Sequence, residues 1–139
     1  MSSLSKFFMN IPVVLYQRTN GKMGGSLGKF KVLILTTKGR KSGELRTTPL
    51  IYGHNDGDVM VVASKGGSNE PPAWYRNLEA DPGVEVQIKG ERFRARARDA
   101  TPDEKPELWR RMTKEWPDYD SYQESTRREI PVVLLERED

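Results

Sequence analysis

The sequence contains no cysteine and a single histidine, His54. Without cysteine there can be no disulfide, no thiolate-bound metal and no thiol catalysis, and the composition suits a reducing compartment. One histidine excludes a multi-histidine metal site and a Ser-His-Asp triad with a spare base. We therefore expect no bound metal, and any demanding chemistry must come from another source.

Long hydrophobic runs are also missing. No apolar stretch approaches the roughly 20 residues that a membrane-spanning helix needs. The apolar N-terminal stretch is interrupted by Asn10 and Pro12 and lacks the basic region of a signal peptide. We therefore expect a cytoplasmic protein.

Acidic residues are scarce in the first third of the chain. Residues 1–50 carry nine Lys or Arg and one acidic residue, Glu44, whereas residues 51–98 are neutral and residues 99–139 are acidic, within a net charge of +3. A basic segment favours an anionic partner such as nucleic acid, a membrane surface or a phosphorylated small molecule. Scattered solvating side chains are the alternative.

Hydrophobic patterns predict an α+β fold, a small barrel of about six mainly antiparallel strands with flanking helices. We expect one domain, in which an N-terminal helix and loop (1–29) precede the barrel (30–139). The predicted strands cover 30–37, 45–54, 59–63, 84–88, 92–98 and 130–135. The predicted helices cover 4–19, 73–80 and a segment beginning at Thr101, and a short helical or turn segment is expected at 118–128.

The predicted N-terminal helix at residues 4–19 carries an apolar stripe flanked by Lys6 and Arg18. Such a stripe is typical of a helix packed on the body of a domain. It also fits an interfacial helix that contacts a membrane surface peripherally. The pattern leaves both interpretations open.

Two glycine-containing turns follow predicted strands and carry cations. In the first, residues 39–43, Arg40 and Lys41 lie between glycines, and Arg46 follows on the next strand. In the second, residues 64–67, a lysine precedes two glycines. Backbone amides and cations on tight turns can bind a phosphate, so the pair favours an anion site over ordinary polar hairpins.

A ladder of arginines on the last hairpin is the most conspicuous basic feature. Arg92, Arg94, Arg96 and Arg98 alternate with apolar residues that the strand period sends to the buried face. A surface for single-stranded nucleic acid would need exposed aromatic side chains beside these cations. We therefore interpret the ladder as a solvated sheet face, partly neutralised by neighbouring glutamates, and expect no nucleic-acid partner.

Three aromatic residues, Trp116, Tyr119 and Tyr122, recur every third position. This spacing can line one wall of a flat pocket for a conjugated ring. A lid of core-packed aromatics explains the same pattern. Since these motifs offer no nucleophile with a base, a cofactor must carry any chemistry.

Taken in order, four motifs resemble the deazaflavin (coenzyme F420)-dependent nitroreductase family. They are LTTKGRKSG-xx-RTTPL at 35–50, VASKGG at 62–67, AWYRNL at 73–78 and YQ-xx-TR-xx-IPVV at 122–133. The resemblance implies a split β-barrel related to flavin-binding oxidoreductases. It also implies that reduced deazaflavin delivers a hydride from its C5 to a small electron-poor acceptor, a quinone, enone or nitroaromatic.

The resemblance assigns site residues where the motifs match. Lys41, Arg46 and Lys65 would hold the phosphate and oligoglutamate tail, the 63–67 segment would face the phosphate and ring, and Trp74 with Asn77 would shape the groove. The full cofactor-binding set is Arg40, Lys41, Arg46, Thr48, Ala63, Ser64, Lys65, Gly66, Gly67, Trp74 and Asn77.

Tyr119, Tyr122 and Ser64 are the catalytic candidates that the resemblance implies. Trp116, Tyr119 and Tyr122 would form the substrate pocket, with one tyrosine supplying a proton. The resemblance implies three tyrosines at this spacing in better-known members, and the indole at position 116 cannot act as a phenol. This departure disfavours bulky nitroimidazoles as substrates, whereas quinones remain expected substrates.

Two alternatives to this function stay open. One is an FMN-dependent reductase on the same barrel, and the other is a non-catalytic F420 carrier. The family comparison also favours a monomer, and its link to membrane quinones extends the expected location to the inner face of the membrane through residues 4–19.

Overall fold

The computed structural model describes residues 26–27 and 30–138, in which eight strands and three helices follow one another. The strands are β1 (Ser26–Leu27), β2 (Phe30–Lys38), β3 (Leu45–Ile51), β4 (Gly53–Asn55), β5 (Asp58–Val62), β6 (Gly83–Ile88), β7 (Glu91–Asp99) and β8 (Val132–Arg137). The helices are α1 (Ala73–Ala80), α2 (Lys105–Glu115) and α3 (Tyr119–Glu124), and a single 3₁₀ turn covers Lys65–Gly67.

The strands form one antiparallel sheet in the order β3-β2-β6-β7-β8-β5-β4, with the short β1 paired to β2. The edge strands β3 and β4 are consecutive in the chain, so the sheet curls until its two edges approach each other. In the described part of the chain no hydrogen-bonded ladder joins β3 to β5. The result is a split barrel, which confirms the predicted fold class.

The predicted strand at 45–54 is two strands, which is one reason why eight strands replace the expected six. β3 ends at Ile51, which pairs with β2, and β4 begins at Gly53, which pairs with β5. The chain therefore passes from one edge of the sheet to the other at Tyr52. Gly53 permits this crossing beside α2, because a Cβ there would lie 2.7 Å from the Met112 sulfur.

Alternation along the strands separates two hydrophobic cores. In β5, Val59 and Val61 face the barrel interior, where Trp74 of α1 also packs. Met60 and Val62 face the opposite side, which α2 and α3 cover. Strand β5 is apolar on both faces because it lies between these two cores.

The β6–β7 hairpin has the predicted solvent-exposed and buried faces. Arg92, Arg94 and Arg96 are exposed, whereas Ala95 and Ala97 are buried. Arg98 does not pair with a glutamate of its own hairpin: it forms ion pairs with Glu104 at 2.8 Å and Glu136 at 3.2 Å.

The helix predicted to begin at Thr101 does have a reciprocal cap. The Thr101 N–H donates to the Glu104 carboxylate (2.8 Å), and the Glu104 N–H donates to the Thr101 hydroxyl (3.3 Å). Regular helix begins only at Lys105, with Pro106 in its first turn. The segment predicted as helix or turn at 118–128 forms a short helix that ends at Glu124.

The predicted N-terminal helix at 4–19 lies outside the described residues, as does most of the segment 1–29. The proposed boundary between that segment and the barrel therefore stays a prediction. Among the helices of residues 26–27 and 30–138, none has the length and apolar character needed to traverse a bilayer.

Candidate cofactor groove

The split between β3 and β5 contains a small, largely apolar cavity of about 160 Å³. Because the two strands are not hydrogen-bonded to each other, their side chains leave a gap that other elements border. Three parts of the chain contribute: β3, the turn after β5, and the aromatic residues Trp74 and Tyr119. The lining residues are Thr48, Pro49, Leu50, Ile51, Val62, Ser64, Lys65, Gly66, Pro72, Trp74 and Tyr119.

The turn after β5 has a backbone that favours anions. Ser64 is right-handed helical (φ −85°, ψ −39°), whereas Lys65 (φ 47°) and Gly66 (φ 63°) lie in the left-handed region. This succession makes neighbouring N–H groups converge on one side. None of the hydrogen bonds among the described residues uses the N–H of Ser64, Lys65 or Gly66. The turn therefore offers three backbone donors at the cavity wall.

Gly67 closes this turn and cannot be replaced without displacing backbone. Its φ is +84°, and a Cβ there would lie 2.8 Å from the Tyr122 carbonyl oxygen and 2.9 Å from the Tyr122 Cα, besides clashing with the Ser125 hydroxyl. A glycine is thus needed both for the conformation and for the close approach of α3. Ala63, just before the turn, is fully buried in the barrel interior.

Side chains beyond α3 hold the carbonyl groups of the same turn. Arg128 donates from Nη2 to the carbonyl oxygens of Ala63 (3.1 Å) and Ser64 (2.8 Å), and from Nε to that of Ser68 (2.8 Å). The Ser125 hydroxyl lies 3.0 Å from the Gly67 carbonyl oxygen. Sequence reasoning missed Arg128, since its partners are backbone atoms some 60 residues earlier.

A second cavity, of about 290 Å³, lies along the turn between β2 and β3. The turn closes through a hydrogen bond from the Gly39 N–H to the Glu44 carbonyl oxygen (2.7 Å). The cations predicted at this turn all border the cavity. Its lining residues are Gly39, Arg40, Lys41, Ser42, Arg46, Thr48, Ala73, Trp74 and Asn77.

Asn77 connects α1 to this turn. Its buried side chain donates to the Thr37 hydroxyl (3.2 Å) and accepts from the backbone N–H (3.2 Å) and Nη1 (3.0 Å) of Arg40. Both ends of the amide are thus satisfied, which explains an asparagine at a buried helix position. Asn77 borders the groove and also positions one of its cations.

The remaining cations differ in whether a carboxylate pairs with them. Lys41 is exposed and forms no ion pair with any described residue, and the same holds for Lys65. Arg46 lies 3.5 Å from the Glu44 carboxylate, in a pair whose members are both solvent-exposed. An exposed pair of this kind is weak, so Arg46 can exchange Glu44 for another anion at little cost.

The two cavities are adjacent, because Thr48 and Trp74 line both of them, and together they are called the groove below. Their combined volume falls within the range of about 300–1,000 Å³ typical of ligand pockets. An apolar cavity at the β3–β5 split thus lies next to a cavity lined by cations. This arrangement can hold a flat ring that carries an anionic tail.

The three predicted pocket aromatics do not contribute equally. Tyr119 is buried and lines the apolar cavity, and its ring is 6.1 Å from that of Tyr122. Trp116 donates from Nε1 to the Tyr122 hydroxyl (3.3 Å), beside the cavity and outside its lining. Burial raises the pKa of Tyr119 well above its usual value, so its hydroxyl stays protonated.

Comparison with known proteins now identifies the family. A model of the F420H(2)-dependent quinone reductases matches residues 8–137, which is nearly the whole chain. The chain belongs to this family. An F420H(2)-dependent quinone reductase of Mycobacterium tuberculosis is 38% identical over 127 residues, covering 88% of this chain and 85% of that protein.

Two solved structures share the fold of this chain. An F420-H2 dependent reductase is 37% identical, with a TM-score of 0.70 over 76% of this chain and 93% of that one. Another solved structure, described as a domain-swapped dimer, is 31% identical, with a TM-score of 0.73 over 96% of this chain and 100% of that one.

Membership in the F420H(2)-dependent quinone reductase family makes the chain an oxidoreductase whose cofactor is coenzyme F420. The reaction class and the cofactor expected from the sequence are thereby confirmed. The resemblance to the F420-dependent nitroreductases is compatible with this result, and the family that matches is that of the F420H(2)-dependent quinone reductases.

Proposed function

We propose that this chain reduces a quinone with F420 bound along the groove, the ring in the apolar cavity, the phosphate at the 64–67 turn and the rest of the anionic tail beside the 39–43 turn. One observation carries the proposal: the apolar cavity lies beside a cation-lined cavity, and Thr48 and Trp74 border both. An apolar site beside an anion site matches a cofactor with those two parts.

The residues fit such a cofactor on their own chemistry. Lys41 and Lys65 carry charges that no described carboxylate neutralises, and the amides of the 64–67 turn lack acceptors. Arg40 and Arg46 add two guanidinium groups, which bind phosphate and carboxylate oxygens well. Binding energy from the tail would help to fix the position of the ring.

F420, when bound in its reduced form, supplies the hydride. The chain contributes orientation and proton control around it. Tyr119 borders the apolar cavity with a hydroxyl that burial keeps protonated, so it can donate a hydrogen bond to an acceptor oxygen. Ser64 is buried, and its hydroxyl forms no hydrogen bond with the described residues. The Tyr122 hydroxyl, which accepts a hydrogen bond from Trp116, would relay a proton towards Tyr119.

The same site would accept enones and small nitroaromatics, since they share the electron-poor character of quinones. Trp116 donates a hydrogen bond to the Tyr122 hydroxyl at 3.3 Å. Bulky nitroimidazoles would therefore be poor substrates, because the phenol found in better-known nitroreductases is replaced by an indole with one donor.

The direct test mixes purified protein with reduced F420 and menadione without oxygen and follows the reoxidation of F420. Reoxidation should require both protein and menadione, and F420 should bind more tightly than FMN in parallel titrations. Tighter binding of FMN with FMN-dependent turnover would contradict the proposal. Tight F420 binding without turnover of any quinone would instead indicate a carrier.

We further propose a cytoplasmic monomer that contacts the membrane surface peripherally through residues 4–19. The amphipathic pattern of that segment and the lipid solubility of many quinones support the contact. Co-sedimentation with liposomes of the full-length chain and of a variant lacking residues 1–19 tests it. The domain-swapped dimer among the similar structures speaks against a monomer, and light scattering in solution decides between the two.

A further inference from the structure

Two consecutive arginines between α3 and β8 have opposite environments. Arg127 is exposed and forms no ion pair or hydrogen bond with the described residues. Arg128 is half-buried and donates three hydrogen bonds, to the carbonyl oxygens of Ala63, Ser64 and Ser68. Its guanidinium thus spans the whole turn from the end of β5 to Ser68.

Because peptide groups are planar, these contacts also fix the direction in which the N–H groups of the turn point. In a trans peptide the carbonyl oxygen and the next residue's N–H point in opposite directions, and no cis peptide occurs in the described residues. Because Arg128 holds the oxygens of Ala63 and Ser64, the N–H groups of Ser64 and Lys65 must point away from it. Those two residues line the apolar cavity.

The interaction is specific to the shape of a guanidinium. Nε and Nη2 reach three carbonyl oxygens at 2.8–3.1 Å from one planar group. A lysine ammonium is a single point on a flexible chain and cannot reproduce the fork. No carboxylate among the described residues pairs with Arg128, so its positive charge also lies, uncompensated, directly behind the turn.

We propose that Arg128 is a positioning residue for the cofactor: it holds the carbonyl groups of the 63–68 segment so that the amides of Ser64 and Lys65 face the bound anionic group. The inference rests on the proposed function, since it assumes that an anionic part of F420 lies at this turn. Arg128 itself lies behind the turn and does not line either cavity of the groove.

The test compares Arg128→Lys with Arg127→Lys, a matched control that makes the same change one residue earlier. Hydrogen bonds to charged groups contribute enough that losing the fork should weaken F420 binding about tenfold. We expect the KM for F420 to rise by a similar factor, with kcat at saturating F420 changed less than about threefold. Arg127→Lys should behave like the wild type.

A second readout separates positioning from general stability. In ¹⁵N-labelled protein, F420 should shift the amide signals of Ser64 and Lys65 strongly in the wild type and only weakly in Arg128→Lys, at a thermal midpoint within a few degrees of the wild type. Arg128→Ala should regain F420 affinity when millimolar guanidinium is added, and Arg127→Ala should not respond. If Arg128→Ala does not fold, the lysine variant still decides.

The outcomes distinguish this inference from the proposed function. If the wild-type chain does not bind F420, the proposed function fails and the inference fails with it. If the wild type binds F420 while Arg128→Lys binds equally well with the same amide shifts, only the role of Arg128 is overturned. A loss in Arg127→Lys as large as in Arg128→Lys would also overturn it, since the effect would then not depend on the hydrogen bonds that Arg128 donates to the turn.

Discussion

The two turns that border the groove are built in opposite ways. The turn at Ser64–Gly67 is held from behind by Arg128 and Ser125, and it offers backbone amides. The turn at 39–43 is exposed and offers side-chain cations, of which only Arg40 is anchored, by Asn77. One turn is a fixed surface, and the other is a set of long flexible side chains.

This difference predicts two kinds of contribution to cofactor binding. Fixed amides are already oriented before binding, so they supply geometry and depend little on salt. Exposed cations supply attraction that screening removes, since the Debye length falls from about 10 Å at 0.1 M salt to about 3 Å at 1 M. Changes to the first turn should therefore act through shape and changes to the second through charge.

The largest effect is expected from Gly67→Ala. A Cβ at φ +84° would press on the Tyr122 backbone at 2.8–2.9 Å, so either the turn or α3 must move. We expect F420 affinity to fall by about a hundredfold or more, with a loss of roughly 2–4 kcal/mol in unfolding free energy, because positive φ costs an alanine about 1–2 kcal/mol before any clash.

The matched control for this change is Gly57→Ala, because a Cβ at Gly57 would meet nothing within 4 Å. It should leave both F420 affinity and the urea midpoint at wild-type values. Wild-type F420 affinity in Gly67→Ala would show that the conformation of the first turn does not matter for binding.

The next largest effect is expected from Lys41→Ala and Lys65→Ala. Neither lysine is paired with a described carboxylate, so each should weaken F420 binding about fivefold to tenfold at low ionic strength. The loss should shrink towards zero near 1 M salt. Fluorescence titrations across a salt series measure it, with Lys114→Ala on α2 as the charge-matched control. Unchanged affinity at low salt would refute the assignment of these lysines.

A smaller effect on binding is expected from Asn77→Ala. The substitution frees Arg40 and leaves the buried Thr37 hydroxyl without its partner. We expect a loss of roughly 1–3 kcal/mol in unfolding free energy, the usual cost of an unsatisfied buried group, but only about a threefold weaker affinity for F420. Urea unfolding and titration measure the two quantities. A tenfold loss of affinity at unchanged stability would make Asn77 a direct ligand.

No change in F420 affinity is expected from Glu104→Gln, because Glu104 lines neither cavity of the groove. Hydrogen bonds from Arg98 lower the pKa of Glu104 to about 2. A depressed carboxylate pKa stabilises the fold above the unfolded value of about 4.3, and that contribution is lost as the pH falls from there towards 2. Glu104→Gln should thus be less stable than the wild type at pH 7, with a gap that narrows below pH 4, at unchanged F420 affinity. A constant gap from pH 7 to 2.5 would contradict this.

Much of the fold follows from local patterns in the sequence. Alternation located the β6–β7 hairpin and its faces, and the Thr101–Glu104 spacing located the cap before α2. The division of the 45–54 strand at Tyr52 could not be predicted, because it depends on how far the sheet curls. Local periodicity carries no information about that closure.

Only part of the cofactor groove could be predicted from the sequence, for a similar reason. Both turns stood out through their glycines and cations, whose chemistry is local. Arg128 did not, because its three acceptors are backbone oxygens, which no side-chain pattern can mark. The cavity lining that separates Tyr119 from Trp116 also depends on tertiary packing and lies beyond the reach of their spacing.

The most direct test of the central claim is a titration of ¹⁵N-labelled wild-type protein with F420. If one cofactor spans the groove, the amides of Ser64 and Lys65 and those of Arg40 and Lys41 should shift together and fit one dissociation constant. High salt should weaken that constant for both turns alike. Shifts confined to one turn, or two different dissociation constants, would contradict a single ligand bound across both.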